Sequence, residues 1–170
     1  MNYKLFIFSL LFCSNLSADW LDDFAIEMSK KGIWDSKLAI QIIDKHIYED
    51  EKGIQEIQAK INQQKTDGIW ASLHFGAYKV ELKTMESHKK YHEKVKKEIA
   101  EFNENKKERE KFFENLKELN QKFNELENLK NEYSNESEIY ERMKIGAKIT
   151  LKQSEITAKK IYIKSSFFLA

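Results

Sequence analysis

Histidines and acidic side chains are the residues of this sequence whose spacing could support chemistry, and one stretch holds the best arrangement. His88 and His92 are four positions apart, so a helix would place both imidazoles on one face. Glu86 or Glu93 could add a carboxylate ligand. However, Lys89 stands where the zinc-protease pattern requires a glutamate, and neighbouring lysines repel a divalent cation. We therefore interpret this stretch as a solvated helix face and expect no metal site.

Other catalytic patterns are missing from the sequence. Cys13 is the only cysteine, which excludes cysteine-based zinc and iron–sulfur sites. No glycine-rich phosphate loop, nucleophile elbow or dinucleotide-binding fingerprint occurs. Acidic pairs are frequent, but exposed helix faces do not separate the pKa values of two carboxyl groups as acid–base catalysis requires. We expect a protein that is not an enzyme and holds no cofactor.

Composition predicts an all-α fold. The 170 residues include no proline and five glycines, so few positions stop a helix and the turns of an all-β fold are missing. Hydrophobic residues make up 41% of the chain and charged residues 34%, with a mean hydropathy of -0.66. That is enough apolar material for a thin core. The 29 basic and 28 acidic residues nearly cancel, which disfavours a nucleic-acid partner.

The first 18 residues have the layout of a secretory signal peptide. Lys4 precedes the largely apolar run Leu5–Cys13, and small residues lead to Ala18. The run is short for a spanning helix, which needs about 20 apolar residues. Cleavage after Ala18 would remove the only cysteine, whereas cleavage before Cys13 would leave a lipid-modified cysteine, as in bacterial lipoproteins. Both routes predict export, either to the periplasm or cell envelope or to a lipid anchor on the membrane or cell surface.

Short amphipathic helices are expected to follow the signal peptide. Apolar residues recur at helical spacing over Trp20–Lys31, and Gly32 follows as a stop. Asp35 is expected to cap the second helix. The acidic cluster Glu49–Glu51 suits the start of a third helix better than the end of the second. Thr66–Gly68 is then expected to form a turn.

A long antiparallel coiled-coil hairpin is expected after these helices. Its first arm, over residues 70–133, carries an apolar seam with alternating steps of four and three. The seam consists of Phe112, Leu116, Leu119, Phe123 and Leu126. Ser134–Ser137 forms the link, and so short a link makes the two arms neighbours. The expected buried face of the second arm is Ile139, Met143, Ile149, Ile156 and Ile161. A parallel oligomer that pairs the seam between chains is the alternative.

Four regions result: a signal peptide (1–18), short helices (19–68), the hairpin (69–164) and an apolar tail (165–170). Phe167, Phe168 and Leu169 give the tail an apolar tip that could dock on a partner. Together with the seam, these three residues are the candidate partner-binding residues. The expected partner is a protein, with homo-oligomerisation through the coiled coil as a further option. Membrane contact is expected only through a lipid anchor or the tail.

In composition and layout, the whole chain resembles the hemolysin accessory proteins of spirochaetal prophage plasmids, which are encoded beside a small holin-like membrane peptide. The shared features are a composition rich in Lys, Glu, Asn and Ile, a short signal peptide and an expected long helical hairpin. The resemblance implies an exported accessory that stabilises or assists a membrane-permeabilising partner in lysis, and it transfers no functional residue. Two other functions stay open: a surface or envelope lipoprotein that binds a host or envelope ligand, and a periplasmic holdase chaperone.

Overall fold

The protein is all-helical, as predicted, over the residues that its computed structural model describes, which are 19–63, 69–102 and 104–168. The helices are α1 (Trp20–Lys31), α2 (Ser36–Gln63), α3 (Ile69–Phe102), α4 (Lys106–Asn135) and α5 (Ile139–Phe168). The predictions for Cys13, Ala18, Thr66–Gly68 and Leu169 lie outside the described residues, as do the side chains of Phe167 and Phe168.

The ends of the first two helices follow from their capping residues. Asp19 Oδ1 accepts a hydrogen bond from the backbone N–H of Leu21 at 3.3 Å. Gly32 ends α1 with a φ of 74°, a left-handed conformation that favours glycine. Asp35 Oδ1 accepts hydrogen bonds from two backbone N–H groups of α2, both at 3.0 Å. The predicted stop at Gly32 and cap at Asp35 are confirmed.

The prediction that Glu49–Glu51 begins a third helix is wrong. Helix α2 continues through this cluster to Gln63. Asp50 is buried and bonded to a side chain of α3 rather than exposed at a helix start. The cluster therefore serves contact between helices instead of helix capping.

The prediction of one unbroken helical arm over residues 70–133 is also wrong. Helix α3 ends at Phe102 and α4 begins at Lys106. Asn105 Oδ1 accepts a hydrogen bond from the backbone N–H of Glu108 at 3.3 Å. This is the geometry of an N-cap, so asparagine starts a new helix at this position.

The helices form two compact units. Among the described residues, one unit comprises 19–33 and 112–168, and the other comprises 34–63, 69–102 and 104–111. Buried apolar residues of the first unit include Trp20, Leu21, Phe24, Met28, Phe112, Phe113, Leu116, Leu119, Ile145, Ile156 and Ile163. Those of the second include Ala39, Ile42, Ile43, Ile57, Val95 and Ile99. The predicted regions 19–68 and 69–164 are defined by helix length rather than by packing, and they stay predictions.

Candidate functional site

The predicted partner-binding seam lies largely in the core of the first unit. Phe112, Leu116 and Leu119 are buried, whereas Phe123 and Leu126 are half-buried. The ring of Phe112 packs edge-on against Phe24 of α1, with 6.5 Å between ring centroids. Most of the seam therefore contacts other parts of the same chain, and its use for a partner stays a prediction.

Three sets of ion pairs join α4 to α5. Lys122 Nζ lies 2.9 Å from Glu155 Oε2, and Lys152 Nζ lies 2.8 Å from Glu125 Oε2. Lys159 pairs with Glu118, and its Nζ also donates to Asn115 Oδ1 at 2.8 Å. The residue numbers of the α4 members increase from Glu118 to Glu125, while those of their α5 partners decrease from Lys159 to Lys152.

Glu155 is the centre of this polar network. It accepts hydrogen bonds from Lys122 and from Lys152, at 2.9 and 2.8 Å. These hydrogen bonds lower the pKa of Glu155 from 4.5 to about 2. The pKa of Glu125 is also lowered, first by its hydrogen bond from Lys152 and then by the one from Gln121. Carboxylates held ionised in this way connect helices but are poor proton donors near neutral pH.

The buried face of α5 agrees with the predicted one only in part. Ile156 is buried as predicted and Ile149 is half-buried, whereas Ile139, Met143 and Ile161 are exposed. The structure buries Ile145 and Ile163 in their place. Lys152 and Lys159 occupy positions between the buried isoleucines, with side chains 19% and 15% exposed. Their aliphatic stems are covered while their amino groups reach acidic residues of α4. Apolar spacing alone therefore combines residues from both sides of α5.

Two further lysines of α5 bind α1. Lys160 Nζ donates to Asp22 Oδ2 at 2.7 Å, and Lys164 Nζ donates to Asp19 Oδ2 at 2.9 Å. Burial raises the pKa of Asp22, and its hydrogen bond with Lys160 opposes this effect. Four lysines of α5 are thus engaged within the first unit.

The opposite side of α5 is exposed, and from Ala147 to Ser165 it carries no charge, whereas Lys144 lies over the ring of Tyr140 near its amino-terminal end. We name it the outer face of α5, and it consists of Tyr140, Met143, Ala147, Thr150, Leu151, Ser154, Thr157, Ala158, Ile161 and Ser165. Met143, Leu151 and Ile161 are 70%, 63% and 64% exposed. A surface helix ordinarily places its charged residues on the solvent side. A face this long and free of charge, in a chain that is 34% charged, is typical of an interaction surface.

The hydroxyl groups of the outer face are satisfied within α5 itself. Thr150, Ser154, Thr157 and Ser165 each donate to a backbone carbonyl three or four residues earlier, at 2.9–3.2 Å. Such bonds return the polar group to its own helix. The outer face therefore presents mainly methyl, methylene and ring surface.

A buried histidine–aspartate pair lies between α2 and α3 in the second unit. His92 Nδ1 is 2.6 Å from Asp50 Oδ2, and the two residues are only 5% and 2% exposed. His46 is also buried, with its ring centroid 5.4 Å from that of His92. The expectation of a solvated face is therefore wrong for His92.

The sequence contains a signal for this pair. His46 and Asp50 continue the helical spacing of Ile43, and His92 stands three residues before the buried Val95. Each polar residue thus extends an apolar stripe. In the described part of the chain, no group of three or more His, Cys, Asp and Glu side chains could hold a metal ion. The arrangement is that of a core hydrogen bond between helices.

No family model matches the chain, and no curated protein or solved structure does either. Among the described residues, no helix combines the length and the apolar character that crossing a membrane requires.

Proposed function

We propose that this chain is an exported, non-enzymatic interaction protein that binds a helical partner through the outer face of α5. The absence of charge from this exposed face is the observation that carries the proposal. A helix with apolar residues on two opposite sides is stabilised when both sides pack against other apolar surfaces. In this chain, α4 and α1 supply ion-pair partners on one side of α5 only.

The proposal includes an antiparallel coiled-coil hairpin of α4 and α5 as the rigid support of this face. The order of the ion pairs supports it, because Glu118, Lys122 and Glu125 meet Lys159, Glu155 and Lys152 in turn. Pairs that run in opposite directions along two helices are typical of antiparallel neighbours. The short link between Asn135 and Ile139 also favours this arrangement.

Export and a role in lysis complete the proposal. The amino-terminal pattern supports export, and the resemblance to hemolysin accessory proteins supports a membrane-permeabilising peptide as a biological partner. Lipoprotein and holdase functions stay alternatives, and a lipid on Cys13 in the native protein would favour the first of them.

Site-specific photo-crosslinking in native cells tests the binding surface. A benzoylphenylalanine at Leu151 reports on the outer face, and the same group at Gln153 is the matched control, because Gln153 is exposed on another side of α5. We expect a covalent protein adduct from position 151 and none from position 153. Mass spectrometry of the adduct then names the bound protein, whether another protein or a second copy of this chain.

Two results would overturn the proposed surface. The first is an absence of protein adducts from position 151 in cells that fold and export the protein normally. The second is an equal yield from positions 151 and 153, since chance collisions do not distinguish the sides of a helix. Introducing Leu151→Lys beside a benzoylphenylalanine at Ala158 should also abolish the adduct.

A further inference from the structure

We infer that the outer face of α5 binds α5 of a second copy of this chain, packed antiparallel about a twofold axis. The inference rests on the proposed function, since it names the occupant of the same surface. Three properties of α5 support it: the spacing of the outer face, the distribution of large and small residues along it, and the charges at its border.

The outer face has the spacing of a coiled-coil seam. Ala147, Leu151, Ser154, Ala158, Ile161 and Ser165 follow one another by alternating steps of four and three. This is the pattern by which two helices interlock along their length. It is a second seam of the chain, on another helix than the Phe112–Leu126 seam.

Large and small residues of this second seam complement each other in one antiparallel register. Placing Leu151 opposite Ser154 of the second copy also places Ala147 opposite Ala158 of that copy. Each leucine then meets a small residue, and the alanine layers let the two helices approach closely. The same register sets Ile161 opposite Lys144, whose aliphatic stem can cover the isoleucine while its amino group stays 2.6 Å from Glu141 Oε1. The match is reciprocal, as a twofold interface requires.

The same register brings opposite charges together at the border of the face. Lys148 is exposed, and Glu155 is the half-buried carboxylate of the polar network. In antiparallel pairing, Lys148 of each chain lies opposite Glu155 of the other, so the pair occurs twice. No charged residue of one copy has to be buried against a like charge of the other, and the register is thereby favoured.

A lipid surface fits the outer face less well than a second helix. Helices that lie on membranes have lysines and arginines around a polar side that stays in water. On α5, the lysines at positions 152, 159, 160 and 164 pair with acidic residues of α4 or α1. Those charges are occupied within the chain and are not available to lipid head groups.

Sedimentation equilibrium of the full chain tests the association. The Cys13→Ser form is used throughout, so that any introduced cysteine is the only thiol. We expect a dimer, and we expect Leu151→Lys to weaken it by at least roughly 100-fold, because a buried leucine is lost from each copy. Gln153→Lys adds the same charge on another side of α5 and should leave the dimer intact. Circular dichroism confirms that both variants remain helical.

Mixed cysteine crosslinking tests the register. Chains with Ala147→Cys are mixed with chains carrying Ala158→Cys and are oxidised. We expect disulfide-linked dimers in the mixture and few with either variant alone, because two Ala147 positions would lie about 16 Å apart along the axis. Equal crosslinking of Ala147→Cys with itself would overturn the antiparallel register.

Three results would overturn the second copy as the occupant. They are a wild-type chain that is monomeric at all accessible concentrations, an unchanged dimer in Leu151→Lys, and a monomer that sediments with anionic phosphatidylglycerol vesicles in a Leu151-dependent way. A monomeric chain whose position 151 crosslinks a different protein in cells would overturn this inference and leave the proposed function standing. Loss of all position-specific adducts would overturn both.

Discussion

His92 on α3 and Asp50 on α2 form a buried pair across 42 positions of sequence, with 2.6 Å between Nδ1 and Oδ2. The two side chains have almost no contact with solvent. A buried polar group that loses its partner retains its desolvation cost without the compensating hydrogen bond. The pair therefore fixes how α2 and α3 align, because a shift of either helix would separate the two groups.

Removing one member of this pair should destabilise the second unit strongly. We expect Asp50→Leu to lower the free energy of unfolding by about 3 kcal/mol or more, since His92 is left unsatisfied. The double variant Asp50→Leu/His92→Leu should lose less than the single one. Urea unfolding followed by circular dichroism measures both.

An exposed ion pair between the same two helices provides the control. Asp44 Oδ1 lies 2.5 Å from Lys96 Nζ, and both side chains are more than 40% exposed. We expect Asp44→Leu to cost less than about 1 kcal/mol. A loss at Asp44 as large as that at Asp50 would show that burial of the His92–Asp50 pair is not the decisive factor.

The sequence predicts those parts of the fold that depend on local signals. Gly32 and Asp35 have the required capping chemistry, and Leu116 and Leu119 lie on an uninterrupted apolar seam. Asp50 illustrates what local signals miss, because its charge suggests exposure. Its burial is compensated by a hydrogen bond with His92, which lies 42 positions later in the sequence.

The α5 helix also shows the limit of prediction from local signals. Ile139 and Met143 are apolar and yet exposed, whereas Lys152 is charged and largely covered. Apolar residues occur around the whole circumference of α5, so hydrophobic spacing does not select one face. Acidic partners at Glu118 and Glu125 decide which side turns inward, and these lie on another helix. The sequence therefore contains the residues of the candidate surface but does not show which side of α5 is exposed.

The aliphatic stem of Lys152 should contribute more to stability than its charge. Its side chain is only 19% exposed, while its partners Glu125 and Glu155 are near solvent. We expect Lys152→Met to lower the urea midpoint only slightly, because it keeps the stem. Lys152→Ala should lower the midpoint clearly further through lost packing. Urea unfolding of both variants, with exposed Lys130→Ala on α4 as the control, measures the difference, and equal losses for the two Lys152 variants would contradict this expectation.

Glu155 predicts a specific loss of stability in acid. Its pKa is 4.5 in the unfolded chain and about 2 in the folded protein, because Lys122 and Lys152 bond to the ionised form. As the pH falls, the unfolded state binds the proton first. The stabilisation is therefore complete above pH 4.5 and is lost as the pH falls towards 2.

Comparison with Glu155→Gln isolates this contribution. The urea midpoint of the wild-type protein should exceed that of the variant by a constant amount above neutral pH, and the two midpoints should converge as the pH falls from 4.5 towards 2. Parallel curves over the whole range would assign the acid sensitivity to other carboxyl groups.

Two helical glycines provide a matched test of packing around α2 and α3. Glycine inside a helix costs about 1 kcal/mol relative to alanine, so replacement is favourable where space allows. A Cβ at Gly76 would meet no heavy atom within 4 Å, whereas one at Gly53 would lie 2.6 Å from the terminal methyl of Met85. We expect Gly76→Ala to stabilise the protein by about 0.5–1 kcal/mol and Gly53→Ala to gain less, because the Met85 side chain must move. Thermal unfolding measures both, and Gly53→Ala combined with Met85→Ala removes the obstructing methyl group. If Gly53→Ala alone stabilises as much as Gly76→Ala, the close approach of Met85 to α2 does not restrict that position.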